Sequence, residues 1–195
     1  MDFYHGTIIG GLAELKPFAN PDNNLVESYV YLTTNKQLAL HYIMDAINRP
    51  PKSPMLDIRN DGTLVFQEMF SGALEYLYKG LSGYIYHCVG NYPISKESGV
   101  KSCAISSTPV PVKDCEYVDD VYDRILEYEN YGMFIREKYE DLPRYRHDII
   151  REHVIRSIIK NNLVTDSSHP LYKLYNEKYP KYMKEAEVLH NHKLL

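Results

Sequence analysis

The residues whose types and spacing best suit chemistry lie near the start of the chain. Tyr4-His5-Gly6-Thr7 sets a histidine at the end of a strand-like stretch, with glycine directly behind it. Glycine lets a main chain approach a ligand closely, and the imidazole and the Thr7 hydroxyl offer hydrogen bonds at the same point. A second group follows at Val30-Tyr31-Leu32-Thr33-Thr34, where a β-rich stretch closes and a helical pattern begins. Tyr42 stands eleven residues after Tyr31. One ring at a strand end and one two turns into a helix suit the two faces of a flat aromatic ligand. Offset stacking of that kind contributes roughly 0.5–1.5 kcal/mol beyond area burial. The competing assignment is structural: a strand-end histidine serving only the fold, and a Tyr42 that belongs to the apolar stripe of its helix.

Taken together, Tyr-His-Gly-Thr followed by Val-Tyr-Leu-Thr-Thr-x4-Ala-x2-Tyr resembles the first two motifs of the ADP-ribosyltransferase superfamily. The branch is the one with a His-Tyr-acid signature, which includes diphtheria toxin, the poly-ADP-ribose polymerases and the rifamycin ADP-ribosyltransferases. The resemblance implies that His5 and Gly6 hold the nicotinamide ribose and carboxamide of NAD. It implies that Tyr31 and Tyr42 sandwich the nicotinamide ring, with Thr7 and Thr33 as pocket walls. Gly83-Tyr84-Ile85-Tyr86 and Ser106-Ser107-Thr108-Pro109-Val110 add a milder likeness to the rifamycin enzymes. The resemblance covers roughly residues 2–118 and matches nothing after them.

The third motif should supply an acid. Breaking the nicotinamide–ribose bond passes through an oxocarbenium-like transition state, so a carboxylate near the ribose stabilises the developing positive charge. Glu97 sits roughly where the rifamycin enzymes place theirs. Glu116, in Cys115-Glu116-Tyr117-Val118, resembles the Glu-Tyr-hydrophobic motif of the polymerases, at the end of a strand and not its beginning. Glu97 is slightly favoured, and both are also readable as solvated carboxylates.

The elements that must position these groups follow from periodicity. Short strands are expected at residues 2–5, 28–32 and 63–66, and a clear one at 83–89. Two more are expected at 101–106 and 110–118, with Pro109 and Pro111 at starts or edges. Helical spacing predicts helices over 35–48, capped by Thr34 or Asn35, and over 67–81, with a loop at 50–60. From about residue 119 the pattern turns helical. Ile149, Ile150, His153, Val154, Ser157 and Ile158 form an amphipathic stripe, and a last helical region follows Asp166-Ser167-Ser168, with Pro180 kinking or restarting it. The fold class is therefore α+β: by resemblance, the split, mostly antiparallel sheet of an ADP-ribosyltransferase-like NAD-binding core over 1–118. A helical C-terminal third, 119–195, is expected to pack on it as part of a single unit.

Composition narrows the function classes. The 195 residues carry a formal net charge of −4, which argues against broad binding to nucleic acid through phosphate neutralisation. No secretory leader opens the chain and no apolar run is long enough to span a bilayer, so a cytoplasmic location and no membrane partner are expected. Cys88, Cys103 and Cys115 make neither a disulfide framework nor a zinc ribbon. His147 and His153 lack zincin spacing, and the Lys- and Tyr-rich stretch from Tyr172 to Lys184 is interrupted by Glu177, so it reads as a packing helix. The leading expectation is an NAD-dependent mono-ADP-ribosyltransferase acting on a small-molecule or protein acceptor. The alternatives are a catalytically degenerate NAD- or nucleotide-binding module, and a partner-binding protein working through its Tyr-rich helical third.

Overall fold

The computed structural model describes residues 1–18, 28–49, 55–94 and 102–192. Glu97 lies outside the described residues. The elements run β1 (Asp2–Thr7), β2 (Glu14–Leu15), β3 (Val30–Thr33), α1 (Lys36–His41), β4 (Leu56–Ile58), β5 (Leu64–Gln67), α2 (Ala73–Tyr78), β6 (Gly83–Val89), β7 (Cys103–Ser106), β8 (Val110–Pro111) and β9 (Asp114–Val118). They continue with α3 (Val121–Asn130), β10 (Phe134–Glu137), α4 (Arg144–Lys160), α5 (Tyr172–Lys178) and α6 (Pro180–His192). The fold is α+β, with a mostly antiparallel sheet and a helical C-terminal region.

The main sheet has five strands in the order β7-β3-β1-β6-β9, every pair antiparallel. β1 and β6 pair along their length, from Asp2 with Val89 to Thr7 with Tyr84. The Tyr-Ile-Tyr-His-Cys-Val run of β6 is rich in aromatic and β-branched residues, which fit a pleated, buried surface. Alternation sorts the side chains onto two faces. Phe3, Val30, Leu32, Tyr86, Cys88 and Ala104 fall in one buried cluster, closed by Leu15 and Val110 of the β2–β8 pair. The opposite face, with Ile85 and Cys103, joins the larger cluster built by α1 and most of the other helices.

α1 sits directly on β1. Asn35 caps it by accepting a bond from the Leu38 amide at 3.1 Å, one of the two capping residues expected. The helix ends at His41 and not at residue 48. Ile43 turns into the core there, its Leu40-bonded amide closing the last turn. It lies over two glycines: a Cβ on Gly6 would meet the Ile43 side chain at 3.3 Å, and one on Gly83 would meet it at 2.4 Å. Asp45 then caps a separate turn through the Asn48 amide.

Four other expectations are corrected. The helix expected over 67–81 is confined to α2, because Gly72 caps it in the left-handed region and residues 64–67 are a strand buried on both faces. Within the expected loop at 50–60, the described part holds β4, paired to β5. The C-terminal third is not purely helical: β10 pairs in parallel with β5, Phe134 opposite Leu64, and completes a three-stranded sheet β10-β5-β4. A strand from beyond residue 118 is thus built into the first half's second sheet. The strand expected at 110–118 divides into β8 and β9.

The remaining helices cover the same core. Ile150, Val154 and Ile158 of α4 are buried in one cluster with Leu38, Ile85 and Val118. Burying one such side chain contributes ~1.5–3 kcal/mol. Pro180 opens α6, where its missing N–H is harmless. Tyr179 joins the helical region to the loop before α2, donating from its hydroxyl to the Met69 carbonyl at 3.0 Å and standing edge-on to Phe70 at 5.8 Å.

Candidate functional site

The two N-terminal motifs meet at β1, β3 and α1. Gly6 is the point of closest approach: an added Cβ would stand 1.8 Å from the Ala39 carbonyl oxygen, so no other residue fits beneath α1. The glycine expected to admit a ligand is thus already used to admit a helix. One residue earlier, the His5 Nδ1 lies 2.8 Å from the main-chain carbonyl of Tyr31. A carbonyl only accepts, so Nδ1 carries the proton. Burial holds the imidazole below its ordinary pKa, partly offset by that bond, so His5 is neutral near pH 7. Its Nε2 is then a hydrogen-bond acceptor.

β3 carries the other motif residues. Val30 and Leu32 belong to the second cluster, so alternation turns Tyr31 and Thr33 toward the face covered by α1. His5 alternates with Tyr4 and Gly6, so its link to Tyr31 runs through the main chain and not ring to ring. The Tyr31 ring stands edge-on to Phe18 at 5.4 Å. Its hydroxyl is buried with no hydrogen-bond partner among the described residues. Such an orphan is rare, since a buried unpaired hydroxyl costs about 1–3 kcal/mol.

Tyr42 follows α1 as its cap residue and does not join the core stripe formed by Leu38, Ala39 and Ile43. It is 40% exposed. Its hydroxyl end is nevertheless enclosed, and that desolvation, with the neighbouring Cys103 thiol, pushes the phenol up to about 12. Cys103 pairs with Thr33, on the face to which Tyr31 also turns. Both motif tyrosines therefore border the β3–β7 flank of α1, and their rings do not touch one another. The threonines have local duties. The Thr33 hydroxyl accepts from the Asn35 amide at 3.0 Å and bonds Ser102 at 3.1 Å, and Thr7 accepts from the Ile9 amide at 3.2 Å.

Glu116 lies on the opposite flank. It faces Ile85 across β9 and β6, and Ile85 in turn faces Gly6. Lys36 of α1 reaches it at 2.6 Å and Arg124 of α3 at 2.5 Å. Burial pushes its carboxyl up, but the two cations outweigh this and hold it below its ordinary value. The same cations are committed to it, and Lys36 is raised by the hydrogen bond. Beside this pair, a polar cavity of about 140 Å³ is bordered by Tyr4, His87 and Asp114. His87 stacks on Tyr4 and is bonded by Asp114 at 3.1 Å and Asp2 at 2.7 Å, which raise its pKa.

Motif reading missed Lys36, His87 and Arg124. Each comes from a different element and carries no local signature, so only the register of β1, β6 and β9 brings them together. Among the described residues no group of His, Cys, Asp or Glu side chains is set to hold a metal, and no helix is long and apolar enough to cross a membrane. Comparisons with protein-family models, with curated proteins and with solved structures find no match to this chain.

Proposed function

We propose that the β3–β7 flank of α1 binds the nicotinamide half of NAD and that the chain is a mono-ADP-ribosyltransferase acting on a small-molecule or protein acceptor. The observation that carries this reading is the join between His5 and Tyr31. Residues far apart in sequence meet through the Tyr31 carbonyl: His5, on the sheet face opposite the Tyr31 ring, is left neutral with Nε2 as an acceptor, and Tyr31 keeps a buried hydroxyl without a partner among the described residues. The half-exposed Tyr42 ring offers a stacking face for the nicotinamide. In the transfer, the ribose C1′–nitrogen bond breaks and nicotinamide leaves with the bonding pair. The acceptor's nucleophile bonds C1′ and gives up a proton. The carboxylate that steadies the positive charge is assigned to Glu97, because Glu116 is already neutralised by Lys36 and Arg124.

That same neutralisation favours a second reading, an NAD-binding module without transfer activity. Nicotinamide release from NAD, followed over hours by chromatography, separates the two. The transferase reading expects release by the wild type and its loss in Glu97→Gln at nearly unchanged NAD affinity, the pattern of an interaction made in the transition state. Binding without release in the wild type leaves the module. Release that survives Glu97→Gln but not Glu116→Gln moves the acid to Glu116.

A further inference from the structure

Charge is distributed unevenly along the chain. Residues 1–143 carry twelve Lys and Arg against twenty Asp and Glu, whereas residues 144–195 carry ten against six. Most of the positive excess falls on α4, with five Arg and Lys against two Asp and Glu, while α6 is balanced; an open groove of about 480 Å³ runs along α4 and is closed on one side by Leu189 of α6. That volume falls within the ~300–1,000 Å³ of ordinary ligand clefts. Ile155, Ile159 and Leu189 give it an apolar floor. Arg156 and Lys160, one helical turn apart, edge the groove beside Ile159. Both are exposed, and neither makes an ion pair among the described residues. Arg151, by contrast, is bound to Glu185 across the two helices. Leu189, at the groove, is 42% exposed.

We infer that the α4–α6 groove receives an acidic amphipathic helix from a partner protein. Apolar side chains repeated on one face would fill the Ile155–Ile159–Leu189 floor, and flanking carboxylates would pair with Arg156 and Lys160. A nucleic acid fits less well, because Glu152 stands in the lining and a phosphate backbone offers nothing to the apolar floor. The site is independent of the NAD pocket and includes none of its residues.

The test is fluorescence anisotropy with a labelled amphipathic helical peptide of about 16 residues, leucines on one face and glutamates on the flanks. The full chain should bind it, more weakly as salt rises, and Arg156→Glu with Lys160→Glu should weaken binding about tenfold or more. Both positions are exposed, so the variant should keep the wild-type melting curve. Leu189→Glu, on the floor, should weaken binding independently. Equal binding of a lysine-flanked peptide, or an unchanged affinity in the double charge reversal, overturns the inference. So does tighter binding of a single-stranded oligonucleotide of equal charge, which would make the groove a polyanion site. A concentration-dependent mass in sedimentation that disappears in the same variant would assign the face to a second copy and overturn it as well.

Discussion

On the β6–β9 flank of α1 the charged groups satisfy one another, whereas on the β3–β7 flank polar atoms and ring surface are left open. Glu116 has Lys36 and Arg124, and His87 has Asp2 and Asp114. Tyr31 keeps a buried hydroxyl without a partner among the described residues, and Tyr42 keeps two-fifths of its surface exposed. The two flanks share one helix and one sheet, so the contrast is local. Closed networks hold elements together; a buried polar atom left unpaired calls for an explanation, of which a ligand is one. A carboxylate that resembles a catalytic one in sequence thus sits in the closed flank, while Tyr31 and Tyr42 border the open one.

The largest effect is expected where α1 meets the sheet between the two flanks. Gly6→Ala would drive a Cβ into the Ala39 carbonyl, a main-chain atom that cannot rotate away. Overpacking of this kind costs about 1–3 kcal/mol or more, a fall in Tm of roughly 5–10 °C for a chain of this size. An unchanged Tm would mean that α1 does not rest on β1. Next comes acid sensitivity from His41, which is 1% exposed between Phe134 and Phe66 and whose burial pushes its pKa down to about 3. Its folded pKa is depressed, so the stability it permits is fully present above the unfolded value near 6.5 and is lost as pH falls. The loss is up to about 1.4 kcal/mol per pH unit. Urea melts from pH 7 to 5 should show this slope, and His41→Phe should flatten it; equal slopes would place the acid sensitivity elsewhere. The smallest effect belongs to the closed flank. Glu116→Gln breaks partly exposed ion pairs worth roughly 0.2–1 kcal/mol, so Tm should shift by only about 1–3 °C, with NAD affinity unchanged. A large loss of NAD binding would join the two flanks into one site.

The sequence showed the open flank better than the closed one. Tyr31 and Tyr42 lie eleven residues apart, and that spacing is local enough to see. β6 and the α4 stripe were equally legible, because period-2 and helical patterns hold through Gly83–Val89 and across Ile150, Val154 and Ile158. The closed flank depends on strand register across β1, β6 and β9, which no single segment records. β10 escaped notice because Phe-Ile-Arg-Glu has no alternation of its own; a parallel partner, β5, decides its state. The length of α1 is not legible in the sequence for a similar reason. Helical spacing continues past His41, yet the space above Gly6 and Gly83 draws Ile43 inward and ends the helix.

A thermal-shift titration with NAD and with nicotinamide tests most directly whether the open flank binds nicotinamide. A ligand that binds only the folded chain stabilises it by about 2.7 kcal/mol at a hundred times its Kd. Saturating NAD should therefore raise the Tm by roughly 5–10 °C, and nicotinamide alone should raise it less. Tyr42→Phe should keep the shift, because the ring face makes the contact, and Tyr42→Ala should reduce it. No shift at millimolar NAD, or an equal shift in the wild type and Tyr42→Ala, would contradict the account.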